Sequence, residues 1–209
     1  AAPEIKEAAK RAIDRDINQY AITWGAKALR DAIALRMAHH NRVAVDPETM
    51  VTICCGATES MISALLATVD PDEEVIVFEP FYENYGPDCV LSGARPVFYR
   101  LEPPEFAIDI DRLRRLFNAR TKAIVLNTPN NPTGKVFTRE ELTAIGELAC
   151  EFDTLVITDE IYEYIVYDGA EHVSMASLPG MAERTITISG ISKTFSVTGW
   201  RVGWCIAPP

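Results

Sequence analysis

Short apolar runs alternate along the chain with stretches whose apolar residues recur every three or four positions. Between 27 and 41, Leu29, Ile33 and Met37 stand four apart and predict a helix with one apolar face. Residues 51–55 predict a short buried strand that stops at Gly56, and 59–69 predict the helix after it. Further strands are predicted at 74–78, 96–99, 123–126, 155–158, 185–188 and 202–206. A helix over 109–117 turns Leu113, Leu116 and Phe117 inward. Thr138 followed three residues later by Glu141 is a capping box, in which side chain and backbone satisfy each other's donors. The helix it opens carries Leu142, Ile145, Ala149 and Phe152 on one face.

Near-continuous apolar strands alternating with amphipathic helices imply an α/β fold, with a mainly parallel sheet flanked by helices on both faces. The chain shows no internal repeat, low-complexity segment or linker, so residues 1–209 read as one domain. Composition is that of an ordinary globular protein, 48% hydrophobic and 24% charged. The net charge of −10 argues against a general nucleic-acid binder, which needs a basic surface to displace counterions. It leaves room for a small anionic ligand, because a local cationic cluster can oppose the global charge. No window supplies the run of about 18 apolar residues that a membrane-spanning helix needs. The first residues lack the basic-then-apolar layout of a signal peptide. The five cysteines include no C-x-x-C pair and read as reduced core thiols. The three histidines show no ligand spacing, so no metal site is expected. Together these features predict a soluble cytoplasmic protein.

In open α/β sheets, ligands bind outside the carboxyl ends of the strands. After 51–55 comes Gly56-Ala57-Thr58, a strand-to-helix turn able to offer backbone N–H groups and a hydroxyl to a phosphate. The strand at 123–126 runs into the dense turn 127–134, rich in Asn and Pro. Asp159 follows 155–158, where it is either a helix cap or a site carboxylate. Beyond 185–188 stand Ser189, Ser192 and Lys193. Residues 185–209 hold only two charged side chains, Lys193 and Arg201, both cationic. An amine in such an acid-free apolar stretch is either a snorkelling surface lysine or a desolvated nucleophile. Tyr82, Tyr85 and Tyr162 read equally as core aromatics with one wet end. Neither a Walker loop nor a G-x-G-x-x-G turn is present, which places nucleotide binding well behind.

The segment 189–203, Ser-Gly-Ile-Ser-Lys-Thr-Phe-Ser-Val-Thr-Gly-Trp-Arg-Val-Gly, closely resembles the lysine segment of the class I/II pyridoxal-phosphate (PLP) aminotransferases of fold type I. The Asn-Thr-Pro-Asn-Asn-Pro-Thr-Gly turn at 127–134, Asp159-Glu160-Ile161-Tyr162 and Gly56-Ala57-Thr58-Glu59 resemble further family segments, in the family's order. Asn18-Gln19-Tyr20 is similar to the segment that a dimer partner contributes. The resemblance covers essentially the whole chain. It implies the three-layer large domain of PLP transferases, with the last strand antiparallel.

The resemblance also implies roles. Lys193 would form a Schiff base with pyridoxal 5'-phosphate and then move the substrate's proton. Asp159 would keep the pyridine nitrogen protonated, while Asn131 and Tyr162 would bond the ring oxygen and Tyr82 would stack on the ring. Asn131 would also lie beside the substrate. Gly56, Ala57, Thr58, Arg201 and one of Ser189 or Ser192 would hold the phosphate, and Tyr20 would reach the partner's phosphate in a homodimer. The family often carries Ser three residues before the lysine, where this chain has Gly190. The family's N-terminal segment and its C-terminal small domain, with a carboxylate-binding arginine, are expected to be absent from these 209 residues. The implied activity is amino transfer between an α-amino acid and a 2-oxo acid. Its rivals are a PLP-dependent C–S/β-lyase on the same fold and a non-catalytic effector-binding domain.

Overall fold

In the computed structural model, which describes residues 1–209, every predicted strand forms and all seven join one sheet. They are β1 (Val51–Cys54), β2 (Glu74–Glu79), β3 (Arg95–Arg100), β4 (Thr121–Asn127), β5 (Leu155–Asp159), β6 (Thr185–Gly190) and β7 (Gly203–Ile206). Their spatial order is β1-β7-β6-β5-β4-β2-β3. From β6 to β3 all neighbours are parallel, whereas β7 lies antiparallel between β6 and β1. The fold is the mostly parallel α/β/α arrangement expected, with the last strand reversed.

Six α-helices accompany the sheet: α1 (Pro3–Asp14), α2 (Lys27–Arg36), α3 (Gly56–Thr68), α4 (Tyr85–Leu91), α5 (Ile110–Arg114) and α6 (Arg139–Glu151). Two of them, α1 and α4, escaped the sequence reading. In α1 Ile5, Ala9 and Ile13 keep helical spacing, yet the helix buries no residue. Within its seven residues α4 carries Gly86 and Pro87, which disguise it. The predicted helix over 27–41 is regular only to Arg36. A π-helical turn, Met37–Asn41, completes it, ending at Arg42 with φ 59°. The helix predicted at 109–117 shortens to α5, capped by the Asp109 side chain, which accepts from the Arg112 N–H at 2.9 Å. The capping box forms as read, with the Glu141 N–H donating to Thr138 Oγ1 at 3.2 Å and the Thr138 N–H donating to Glu141 Oε2 at 2.9 Å.

Strand residues alternate between two buried faces, which is why these strands read as unbroken apolar runs. Val75 and Val77 of β2, Ala123 and Val125 of β4, and Ile157 of β5 pack with Met61, Ala64 and Leu65 of α3. Their neighbours Ile76, Phe78, Ile124, Leu126 and Val156 face the other way, against Leu142, Ile145 and Ala149 of α6. A smaller core joins Ile33 and Met37 to Val51, Trp204 and Ile206. The cysteines correct the sequence reading. Only Cys89 is buried, Cys54 and Cys205 are half-buried, and Cys55 and Cys150 are exposed. Cys55 sits at the start of α3 and Cys150 on the outer side of α6, so neither enters a core. No helix is long and apolar enough to cross a membrane.

Candidate active site

Strand parity carries polar side chains to one rim. Asn127 continues the α3-facing set of β4 and Asp159 that of β5, and the two are register partners at the strand ends. The Asn127 amide donates to the Asp159 carbonyl at 2.9 Å, and its Oδ1 accepts from the Asn131 N–H at 2.7 Å. One side chain thereby fixes the end of β5 and the start of the Asn/Pro turn. These residues open onto a cleft at the carboxyl ends of the parallel strands.

At the cleft floor Asp159 is only 6% exposed. Its Oδ2 accepts from the Tyr85 hydroxyl at 2.8 Å and its Oδ1 from the Ile161 N–H at 3.1 Å. Burial pushes its carboxyl up to about 6, against the pull of those two hydrogen bonds and of the nearby Lys193 charge. Lys193 lines the same cleft, its Nζ 5.5 Å from the centre of the Tyr162 ring.

Another part of the cleft gathers donors suited to an anion. The first turn of α3 presents Ala57 and Thr58 to the cleft, and Arg201 Nη2 donates to Thr58 Oγ1 at 3.3 Å. A helix start with free N–H groups beside a guanidinium suits a phosphate. Two glycines allow this closeness. A Cβ on Gly56, whose φ is +81°, would lie 2.5 Å from Arg201 Nη2, and one on Gly203 would lie 2.4 Å from the Gly56 carbonyl carbon.

Ala57, Thr58, Tyr82, Asn131, Asp159, Tyr162, Ser192, Lys193 and Arg201 all line this one cleft, although they come from five separate stretches of the chain. Gly56 shapes its wall. Ser189 does not reach it: the Ser189 hydroxyl turns to the opposite face of β6 and donates to Glu163 at 2.8 Å. Of the two serines expected at the phosphate, only Ser192 lines the cleft. Gly190 shares the cleft-side face, but a Cβ there would lie 2.8 Å from the Val202 carbonyl, so a serine has no room. Tyr20 is fully exposed and lies outside the cleft. Six further lining residues were missed as site residues: the apolar Met61 and Ile161, and the polar Asn84, Tyr85, Asn127 and Thr198. Asn127 stood at the first position of the turn already singled out, Tyr85 three residues after Tyr82, and Thr198 within the 189–203 segment; nothing in the sequence separated Asn84 from ordinary loop residues.

Comparison with known proteins agrees with this architecture. The family model "Aminotransferase class I and II" matches residues 1–209. The chain belongs to the class I and II aminotransferases. Among its relatives in that family, the probable N-succinyldiaminopimelate aminotransferase DapC of Mycobacterium tuberculosis is 46% identical over 208 residues, 99% of this chain and 52% of the relative. Human kynurenine–oxoglutarate transaminase 1 is 43% identical over 215 residues, 97% of this chain and 51% of the relative. The solved structure of the M. tuberculosis N-succinyldiaminopimelate aminotransferase superposes with a TM-score of 0.97 at 45% identity, covering 99% of this chain and 54% of that one. This aminotransferase chain thus spans about half the length of the relatives it matches.

Proposed function

We propose that this chain is the PLP-binding large domain of an enzyme that transfers an amino group between an α-amino acid and a 2-oxo acid. One observation carries the reading: a lysine, a buried carboxylate and an anion-receiving helix start share a single cleft. The donor set suits pyridoxal 5'-phosphate. The α3 start with Thr58 and Arg201 matches a phosphate, buried Asp159 matches a cationic ring nitrogen, and Tyr82 offers an aromatic face. When bound, PLP supplies an electrophilic carbon and an electron-accepting ring.

The chain's own residues supply the rest. The Lys193 amine takes and returns the proton at the substrate Cα, within reach of Tyr162. Asp159, shielded from water, holds a proton on the ring nitrogen by charge. Asn131 and Tyr162 present polar groups to the ring oxygen, and Asn131, tied to Asn127, holds its place at the substrate. Ala57, Thr58, Ser192 and Arg201 bind and orient the phosphate, which fixes where Lys193 acts.

A homodimer completes the reading. The N-terminal stretch exposes Ile13, Ile17 and Tyr20 and packs no α1 side chain into its own core, so it suits a second copy that Tyr20 could reach.

The test is to load the full-length protein with PLP and follow a panel of amino donors against 2-oxo acid acceptors. Transfer of the amino group supports the proposal. Release of pyruvate and ammonia without transfer assigns a β-lyase instead, and no turnover with retained effector binding assigns a sensing domain.

A further inference from the structure

Asp159 is the one carboxylate that lines the cleft, and its environment is set by few partners. Its own strand end contributes the Ile161 N–H and the like charge of Glu160, which raises the carboxyl further. Lys193, beyond β6, contributes an opposite charge that lowers it. Tyr162, from the turn after β5, lines the same cleft. The only side chain that donates a hydrogen bond to the carboxylate is Tyr85, from α4, at 2.8 Å.

Tyr85 itself is held firmly. It is 3% exposed, its ring stacks at 6.5 Å on Phe81 and meets Tyr82 edge-on at 6.0 Å, and its N–H donates to the Tyr82 carbonyl at 3.2 Å. The same stretch therefore positions Tyr82 against the cleft and aims the Tyr85 hydroxyl at Asp159. Burial and the adjacent Asp159 charge hold the Tyr85 phenol well above its ordinary value, so it stays a donor at every working pH.

We propose that Tyr85 is a positioning residue for Asp159, its hydroxyl fixing the carboxylate's rotamer and favouring the anion that a cationic ring nitrogen requires. The inference rests on the PLP reading only for its purpose. The Tyr85–Asp159 relation is a property of the protein alone and can be measured without cofactor.

The experiment uses the full-length protein labelled with carboxyl-13C aspartate, with the Asp159 signal assigned by its loss in Asp159→Asn. In cofactor-free protein, Tyr85→Phe keeps the ring and removes the donor, and the Asp159 midpoint is expected to rise by about one unit, a tenfold gain in proton affinity. Replacing Tyr85 by 2,3-difluorotyrosine, a stronger donor, is expected to move the midpoint down. In the PLP-loaded enzyme, Tyr85→Phe is expected to lower kcat about 10-fold with little change in KM, and to move the acidic limb of the rate profile in step with the midpoint. An unchanged midpoint in both variants, or a Tyr85→Phe protein that merely melts earlier, overturns the proposal and leaves Tyr85 a packing residue. Absence of PLP binding or amino transfer in the unaltered protein bears on the functional reading and not on this one.

Discussion

Ser189 donates its hydroxyl to Glu163 Oε1 at 2.8 Å on the side of β6 turned away from the cleft. Parity forces this arrangement: Ser189 is level with Trp204, on the face opposite that of Ile186 and Ile188. Ser189→Ala is therefore expected to cost about 1–3 kcal/mol of stability while PLP affinity stays the same. Ser192→Ala is expected to weaken PLP binding with little loss of stability. Denaturant midpoints and cofactor titrations on the two variants check both statements, and weakened PLP binding in Ser189→Ala would refute the assignment.

Glu163 is almost fully buried and is paired with Arg36, with the Asn41 amide donating at 3.1 Å. Removing one partner of a buried ion pair strands the other charge. Arg36→Leu is expected to destabilise the protein by about 3–5 kcal/mol, and the double change Arg36→Leu with Glu163→Leu to recover most of that loss. Urea unfolding of the single and double variants measures the difference.

Lys193→Ala should lower amino transfer by at least about 1,000-fold, because no second amine or imidazole lines the cleft to move the proton. PLP should still bind through the phosphate end but leave on dialysis. Turnover within tenfold of the unaltered enzyme would remove Lys193 from the reaction.

Asp159 gives a pH signature. Its folded value near 6 lies above the ordinary 3.8, so the fold favours the neutral acid. That contribution is complete below about pH 4, where both states are protonated, and is lost as pH rises through 6. Cofactor-free Asp159→Asn cannot ionise and is expected to exceed the unaltered protein by about 3 kcal/mol above pH 7, the gap closing towards pH 4. Unfolding curves at pH 4.5, 6 and 8 give the trend.

Gly203→Ala would push a methyl into the Gly56–Ala57 peptide, whose amide nitrogen lies 2.5 Å from the added Cβ. Backbone cannot move aside as a side chain can. The expected loss is about 1–3 kcal/mol of stability with a clear drop in phosphate affinity, read by melting point and PLP titration.

Much of this was legible in the chain because both faces of the sheet are buried, which makes strands such as β2 and β4 conspicuous. The strand ends then located the turn 127–134, Asp159 and Lys193 without any tertiary information, and the family resemblance singled out Asn131 within that turn. What stayed hidden was relational. Ser189 and Ser192 flank the same turn in sequence, and only the register of β6 with β7 separates them. Tyr85 read as a core aromatic, and it is one; its second role depends on an aspartate 74 residues away. Helix α4 was masked by Gly86 and Pro87, and α1 by having no core to pack against.

The placement of β7 also bears on how the chain is made. Its strand is the last of the seven to be synthesised, yet it sits inside the sheet, between β1 and β6. About 150 residues separate β1 from β7, so at roughly 5–20 residues per second β1 emerges about 8–30 s before its only sheet partner. Through that interval β1 presents an open edge, joined by the edge of β6 only near its end, the condition under which strands pair with the wrong chain. The strand that carries Gly203 under the start of α3 therefore closes the sheet and the anion cradle in one late event, and the nascent protein gains its binding site only when that exposure ends.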